Sequence, residues 1–336
     1  MSKAESLDLG PVHDREGSLR RGWPALLLTL IVLASALYAF SPRPLPAFLA
    51  THLPLDQMLL TGLAQDGSRL VAVGEQGHIV IADDPHGPWR EAKLDQQRGS
   101  TFTQVAFIGG GVALAVGQDG WIVRSEDRGA TWKEVHFDST DQAAPLLGIA
   151  GPFNGKLFAF GAFGLFLTST DQGKTWTQSP LAIAVSPAEA AAAQAAADAD
   201  PFGSGASSGS DLASHHIYAI VRAADGSLIL VGERGLMLRS ADNGQNWKSL
   251  PKIYKGSFFG ALVLPGNRLL VYGMRGHVFY SVNNGQSWQA SVLPGNDSVF
   301  GGAVTDKGEV LLVNASNTVL VSTDGGAHFT RNSQGK

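Results

Sequence analysis

The side chains with the most chemical potential in this sequence are aspartates that recur at one fixed place. Asp127, Asp171, Asp242 and Asp324 each stand two residues after a serine and two before a glycine, in SEDRGATW (125–132), STDQGKTW (169–176), SADNGQNW (240–247) and STDGGAHF (322–329). Carboxylates in such an array could serve as general acids and bases or hold a hard cation. A fifth copy, SVNNGQSW (281–288), argues against both, because Asn283 takes the aspartate's place. An amide can fill a hydrogen-bonding role but not an ionised one. The pattern reads instead as a turn. The Asp/Asn and Ser side chains (Ser125, Ser169, Ser240, Ser281 and Ser322) accept backbone N–H groups. Gly129, Gly173, Gly244, Gly285 and Gly326 take a positive φ, and Trp132, Trp176, Trp247, Trp288 and Phe329 pack against a neighbouring unit.

Other reactive groups do not assemble. Cysteine is absent, which removes disulfides, thiolate metal sites and a thiol nucleophile. Nine histidines are scattered. The adjacent His215 and His216 would point to opposite faces of a strand, while His78 and His277 occupy equivalent places in separate units. The G-x-x-G turns lack the strand–turn–helix setting and the lysine that a phosphate loop requires. No metal and no cofactor are therefore expected. A net charge of −4 lacks the basic excess of a nucleic-acid binder.

The elements that position the boxes are themselves repeated. A degenerate sixth copy, ADDPHGPW (82–89), precedes the others, and successive final aromatics lie 43, 44, 71, 41 and 41 residues apart. Before each box an apolar run reaches a tight turn and an alternating run follows, as in ALAVGQDGWIVRS (113–125) and LILVGERGLMLRS (228–240). In the last unit, LLVNASNTVLVS (311–322), asparagines hold both glycine places, as the residue that next best tolerates φ > 0. Alternation rich in β-branched and aromatic residues marks strands. A further strand opens each unit (LLTGLA, FTQVAF, LLGIAG, IYAIVR, FFGALV, VFGGAV) and a short one follows each box. Four strands per unit of about 42 residues make the blade of a β-propeller. The expected fold is an all-β, six-bladed propeller of four-stranded blades over 56–332. Much of the high glycine content, 41 of 336 residues, is the punctuation of this repeat.

Ahead of it lie a polar tail (1–22), an uncharged run (23–40) and a proline-rich linker (41–55). The run is about 26 Å long as a helix, close to the hydrocarbon thickness of a bilayer. Arg20 and Arg21 precede it, which keeps the tail cytoplasmic, and Trp23 and Tyr38 suit its two interfaces. This predicts a single-pass transmembrane signal anchor in the inner membrane with the propeller exported to the periplasm. The alternative is a signal peptide cleaved at Ala34-Ser35-Ala36.

With its VG-x-x-G turns leading to S-x-D-x-G-x-T-W boxes, the stretch from about 55 to 332 resembles the BNR/Asp-box propeller superfamily. It is most similar to the photosystem II stability/assembly factor-like branch. That resemblance implies a non-enzymatic assembly role at a membrane, with an inner-membrane protein complex, often an RND-type transporter, as partner.

A blade with an even number of strands begins and ends on one face of the disc. Blade junctions and G-x-x-G turns share that junction face, and the boxes occupy the other. The linker, the C-terminus and an Ala/Gly/Ser-rich insertion (181–214) also belong to the junction face, which is expected to look toward the membrane. The insertion reads as a tolerated loop, with a docking helix over 188–199 as the alternative. Phe163 and Met274 are unusual residues for turn tips and, with Arg234 and Arg275 on adjacent blades, are the candidate partner contacts.

Sialidases share both boxes and blade number, which makes an exported carbohydrate-binding or glycan-processing propeller the alternative. They need an arginine triad and a tyrosine nucleophile paired with a glutamate. Tyr272 and Tyr280 fall on middle strands, away from the channel. Tyr218 is the remaining candidate, with Arg222 on the same side of its strand. No R-I-P motif and no paired carboxylates accompany it. The expectation is that the chain is not an enzyme.

Overall fold

The computed structural model describes residues 23–41, 58–184 and 215–332. The expected tail (1–22), nearly all of the linker and most of the insertion lie outside the described residues. The chain divides into two units, residues 1–49 and 50–336. In the first, one helix, α1, runs Trp23–Ala39, 17 residues without a charged side chain. No helix among the described residues is long and apolar enough to cross a membrane.

The second unit is a six-bladed propeller in which each blade is a four-stranded antiparallel meander. The innermost strands are Leu60–Asp66, Phe102–Gly109, Leu146–Phe153, Ile217–Arg222, Phe258–Leu264 and Val299–Val304. Second strands such as Val112–Gly117 and third strands such as Ile122–Ser125 are buried on both faces, hence their near-continuous apolar sequence. Fourth strands are short and exposed in blades such as the third, at Thr177–Gln178, and longest in blade two, at Thr131–His136. Segments leaving blades one and three, Lys93–Leu94 and Ile183–Ala184, pair in parallel with the fourth strand of the next blade. Val292 bridges to His328 in the same way after blade five. The insertion accordingly starts later than residue 181. Leu181 is buried with Trp247 in the core between blades three and four, and Ile183 packs against it.

Each hydrophobic cluster lies between two blades. Val71, Val73 and Ile81 of blade one meet Phe102, Val105 and Trp132 of blade two, and the other clusters repeat this arrangement up to blades five and six. No such cluster spans blades six and one among the described residues. Leu60 is 49% and Leu63 63% exposed, whereas the residues in register with them on blade two, Phe102 and Val105, are 0% and 3%. On the facing side of blade six Val313 is 45% exposed, where its counterpart Val116 is fully buried. Five junctions are sealed, and the sixth leaves the same positions open to solvent.

The two turn glycines serve different physical ends, which corrects the expectation of a shared positive φ. The second one does adopt it, as Gly164 does at φ 71°. The first is extended: Gly161 has φ −167°, a region open to any residue. A Cβ on Gly161 would lie 2.0 Å from the Pro145 carbonyl oxygen and 2.8 Å from the Leu146 Cα. Close backbone approach is what excludes a side chain there. In blade six Asn317 is left-handed, at φ 53°, and Asn314 is not.

Candidate functional site

The box geometry is the same in blades two to six. The Ser169 hydroxyl donates to Asp171 Oδ1 at 2.7 Å and accepts from the Gly173 N–H at 3.0 Å. Asp171 Oδ1 also accepts the backbone N–H groups of Lys174 and Thr175, and the Thr175 hydroxyl donates to its Oδ2. These donors hold the carboxyl well below the usual range, with the Thr175 hydroxyl the largest contributor. Asn283 takes the same turn, accepting from the Ser281 hydroxyl and the Ser287 N–H while its Nδ2 donates to the Ser287 hydroxyl. Gly129 meets a second demand besides φ 86°, because a Cβ there would come within 2.6 Å of Val71 on the preceding blade. The serine hydroxyl and the aspartate carboxylate of the box are thus occupied in holding the turn.

The junction face is different. The tips of its tight turns hold Gln76, Asp119, Phe163, Arg234 and Arg275, all left-handed non-glycine residues, a conformation that costs about 1 kcal/mol or more each. Phe163 is 72% exposed and Met274 38%. Arg234 and Arg275 are exposed, and among the described residues neither guanidinium has an ion pair or hydrogen bond. The structure therefore brings the four candidate contacts to one face, on blades three, four and five.

Beside them, aligning the opening strands identifies a further set of residues. The second residue of each strand is Thr61, Thr103, Leu147, Tyr218, Phe259 and Phe300. In blades one and two the threonine hydroxyl stitches the junction, donating to the Phe102 carbonyl at 2.6 Å and to the Leu146 carbonyl at 2.7 Å. In blades four to six the same place holds rings that touch one another. Tyr218 meets Phe259 edge-on at 5.6 Å and Phe259 stacks on Phe300 at 5.2 Å. His216 extends the row outward, 6.4 Å from Tyr218 and 4.8 Å from Phe163. Sequence reasoning missed this row, although the alternation T, T, L, Y, F, F in the six opening strands was its visible signal.

Of the row, Tyr218 and Phe259 border a cavity of about 400 Å³ in the channel, lined by residues of blades two to six and by no charged side chain. Tyr272 belongs to its lining, contrary to the expectation that a middle-strand residue stays away from the channel. Glycine at position 260 lets the phenol through, since a Cβ there would sit 2.3 Å from the Tyr272 hydroxyl. Burial pushes this phenol up to about 12, against an opposing hydrogen bond from the Gly302 N–H. Tyr218 is also raised, by burial and by the nearby Glu233 carboxylate. Both shifts favour the neutral phenol, and among the described residues no hydrogen bond joins Tyr218 to Glu233. Among the described residues no group of His, Asp or Glu could hold a metal ion.

Comparison with known proteins bears on the fold. The BNR/Asp-box repeat matches residues 167–178. Similar solved structures include YCF48 from Cyanidioschyzon merolae (16% identity, TM-score 0.58, 86% of this chain and 87% of that one). Another is YCF48 bound to D1 peptide (16%, 0.57, 82% of each chain). Virginiamycin B lyase from Staphylococcus aureus is similar too (12%, 0.62, 82% and 85%). No curated protein sequence matches the chain. At these identities the likeness is one of fold, shared by YCF48 and by a lyase. Together with the repeat it supports a BNR/Asp-box propeller.

Proposed function

We propose that this chain is a non-enzymatic docking subunit, an exported propeller held at the inner membrane by its N-terminal helix and bound through its junction face to a membrane protein complex. The observation that carries this reading is the contrast between the two faces. Box side chains are consumed by their own turns, whereas the junction face offers Phe163, Met274, Arg234 and Arg275 without partners of comparable strength. The lack of charged groups around the cavity favours binding over acid–base catalysis. The similar fold of YCF48, one structure of which holds a D1 peptide, is consistent with a propeller that receives a polypeptide. Unpaired guanidinium groups on adjacent blades suit an acidic surface on the partner. The family resemblance suggests an RND-type exporter as the complex. At 17 residues α1 stands at the short limit of spanning segments, and cleavage as a signal peptide is the alternative.

The test is affinity purification from detergent-solubilised membranes, with the native chain and with Arg234→Ala/Arg275→Ala. One membrane protein recovered in stoichiometric amount, and lost in the double variant, supports the proposal. A monomer that retains glycans instead supports the second reading, an exported carbohydrate-binding propeller.

A further inference from the structure

We infer that the channel mouth between blades four and six is a binding site for a planar, uncharged aromatic group. The inference deepens the docking reading and rests on it only for the source of that group. Within a repeat, the threonines of blades one and two show what a purely structural residue does at this position: it ties one inner strand to the next. Tyr218, Phe259 and Phe300 forgo that bond. Phe300 stacks on Phe259 yet remains 60% exposed, so apolar ring surface is left open at the edge of a cavity. Beneath the rings the strands carry the small residues Ala219 and Ala261, while the space over Gly260 and Gly302 admits the Tyr272 phenol.

The chemistry of the lining selects the ligand. With no charged side chain present, an ionic group entering the cavity would lose its hydration without compensation. Three of the polar side chains that line it, Thr103, Gln104 and Tyr272, are engaged. The Thr103 hydroxyl donates to backbone carbonyls, Gln104 Oε1 accepts from the Ile149 N–H at 2.7 Å, and the Tyr272 oxygen accepts from Gly302. A sugar would find too few partners for its hydroxyls. An aromatic plane needs none and gains from edge-on and offset contacts with Tyr218 and Phe259, which line the cavity. About 400 Å³ is within the range of small-ligand pockets and accommodates an indole or phenyl ring with part of its attachment. Such a group could be a side chain presented by a partner polypeptide or a free aromatic molecule.

Saturation-transfer NMR on the full chain in lipid nanodiscs, with empty nanodiscs as baseline, tests this with three probes: indole, N-acetyltryptophanamide and N-acetylleucinamide. The expected result is saturable binding of an aromatic probe, at least threefold tighter than the leucine amide. Phe259→Leu should weaken it about three- to tenfold. Ala219→Leu, which fills the cavity and keeps every ring, should abolish it without moving the melting temperature by more than a few degrees. Blocked tryptophan binding as well as indole identifies a polypeptide side chain as the source, and indole binding alone identifies a free molecule. Equal binding of the leucine amide, absence of saturable transfer, or transfer indifferent to both variants overturns the proposal. Failure of the purification experiment with probe binding intact would overturn only the docking partner.

Discussion

Replacing Asp171 by alanine and by asparagine separates a structural carboxylate from a chemical one. The carboxyl accepts four hydrogen bonds, from Ser169, Lys174, Thr175 N–H and the Thr175 hydroxyl. At roughly 0.5 kcal/mol each for bonds this close to solvent, Asp171→Ala should cost about 2 kcal/mol. Asp171→Asn keeps the Oδ1 acceptor and can donate from Nδ2 to the threonine hydroxyl, as Asn283 does to Ser287, so it should cost under about 1 kcal/mol. Its deficit should also depend on pH in a definite direction. The folded carboxyl is held below its ordinary value of 3.8. The charge therefore adds stability that is complete above that value and is lost as pH falls toward the folded pKa. The gap between wild type and Asp171→Asn should close as pH drops below about 4. Urea unfolding between pH 3 and 8 measures all three proteins. Equal destabilisation by asparagine and alanine, or a gap that widens in acid, would refute the structural role. A fully stable Asp171→Asn that had lost partner binding would refute the assignment of the boxes to architecture alone.

Two further outcomes follow from individual residues. Gly161→Ala should destabilise by roughly 2–3 kcal/mol through overpacking, because its Cβ would meet backbone atoms that cannot swing aside. Gly301→Ala, where nothing lies within 4 Å, should be neutral or stabilising by up to about 1 kcal/mol; thermal unfolding of the pair checks the contrast. The raised phenol of Tyr272 adds stability that is complete below its unfolded pKa near 10 and disappears as pH rises through its folded value of about 12. Alkaline unfolding titrated from pH 9 to 12 should therefore be less steep in Tyr272→Phe, by about 2 kcal/mol across that window.

The blades were legible in the sequence because each carries its own punctuation: box, glycine turn and alternating strand are local signals repeated six times. What stayed hidden depends on atoms brought together from different strands. The reason for Gly161 is the Pro145 carbonyl on the adjoining strand, which no φ argument could supply. Tyr272 reaches the channel only because residue 260 on the neighbouring strand is glycine. The candidate contacts Phe163, Met274, Arg234 and Arg275 were readable as turn tips, since the parity of strands decides which face a turn occupies. The row from His216 to Phe300 needed the six opening strands set in register. The first and last units depart from the others in box and turn residues, at 82–89 and at Asn314, Asn317 and Phe329, but not in the strand positions that are left open, so nothing local marks that side.

That junction allows the argument from repeats to be tested at its weakest place. Val105 and Leu63 hold equivalent positions on inner strands, but Val105 is 3% exposed and Leu63 63%. If burial against the preceding blade is what these residues supply, Val105→Ser should cost about 2–3 kcal/mol, the loss of a buried branched side chain and the burial of a hydroxyl. Leu63→Ser should cost under about 0.5 kcal/mol in the isolated protein, as an exposed substitution does. The same pair measured in the presence of a bound partner adds a functional reading. Phe300, at the edge of the aromatic row, and Val313 stand on the blade that adjoins this open side. A partner that covers both would bring Leu63 toward burial and raise the cost of Leu63→Ser toward that of Val105→Ser. Similar costs for the two substitutions in the free protein would show the sixth junction to be sealed like the rest. That result would remove the exposed apolar margin beside the proposed site.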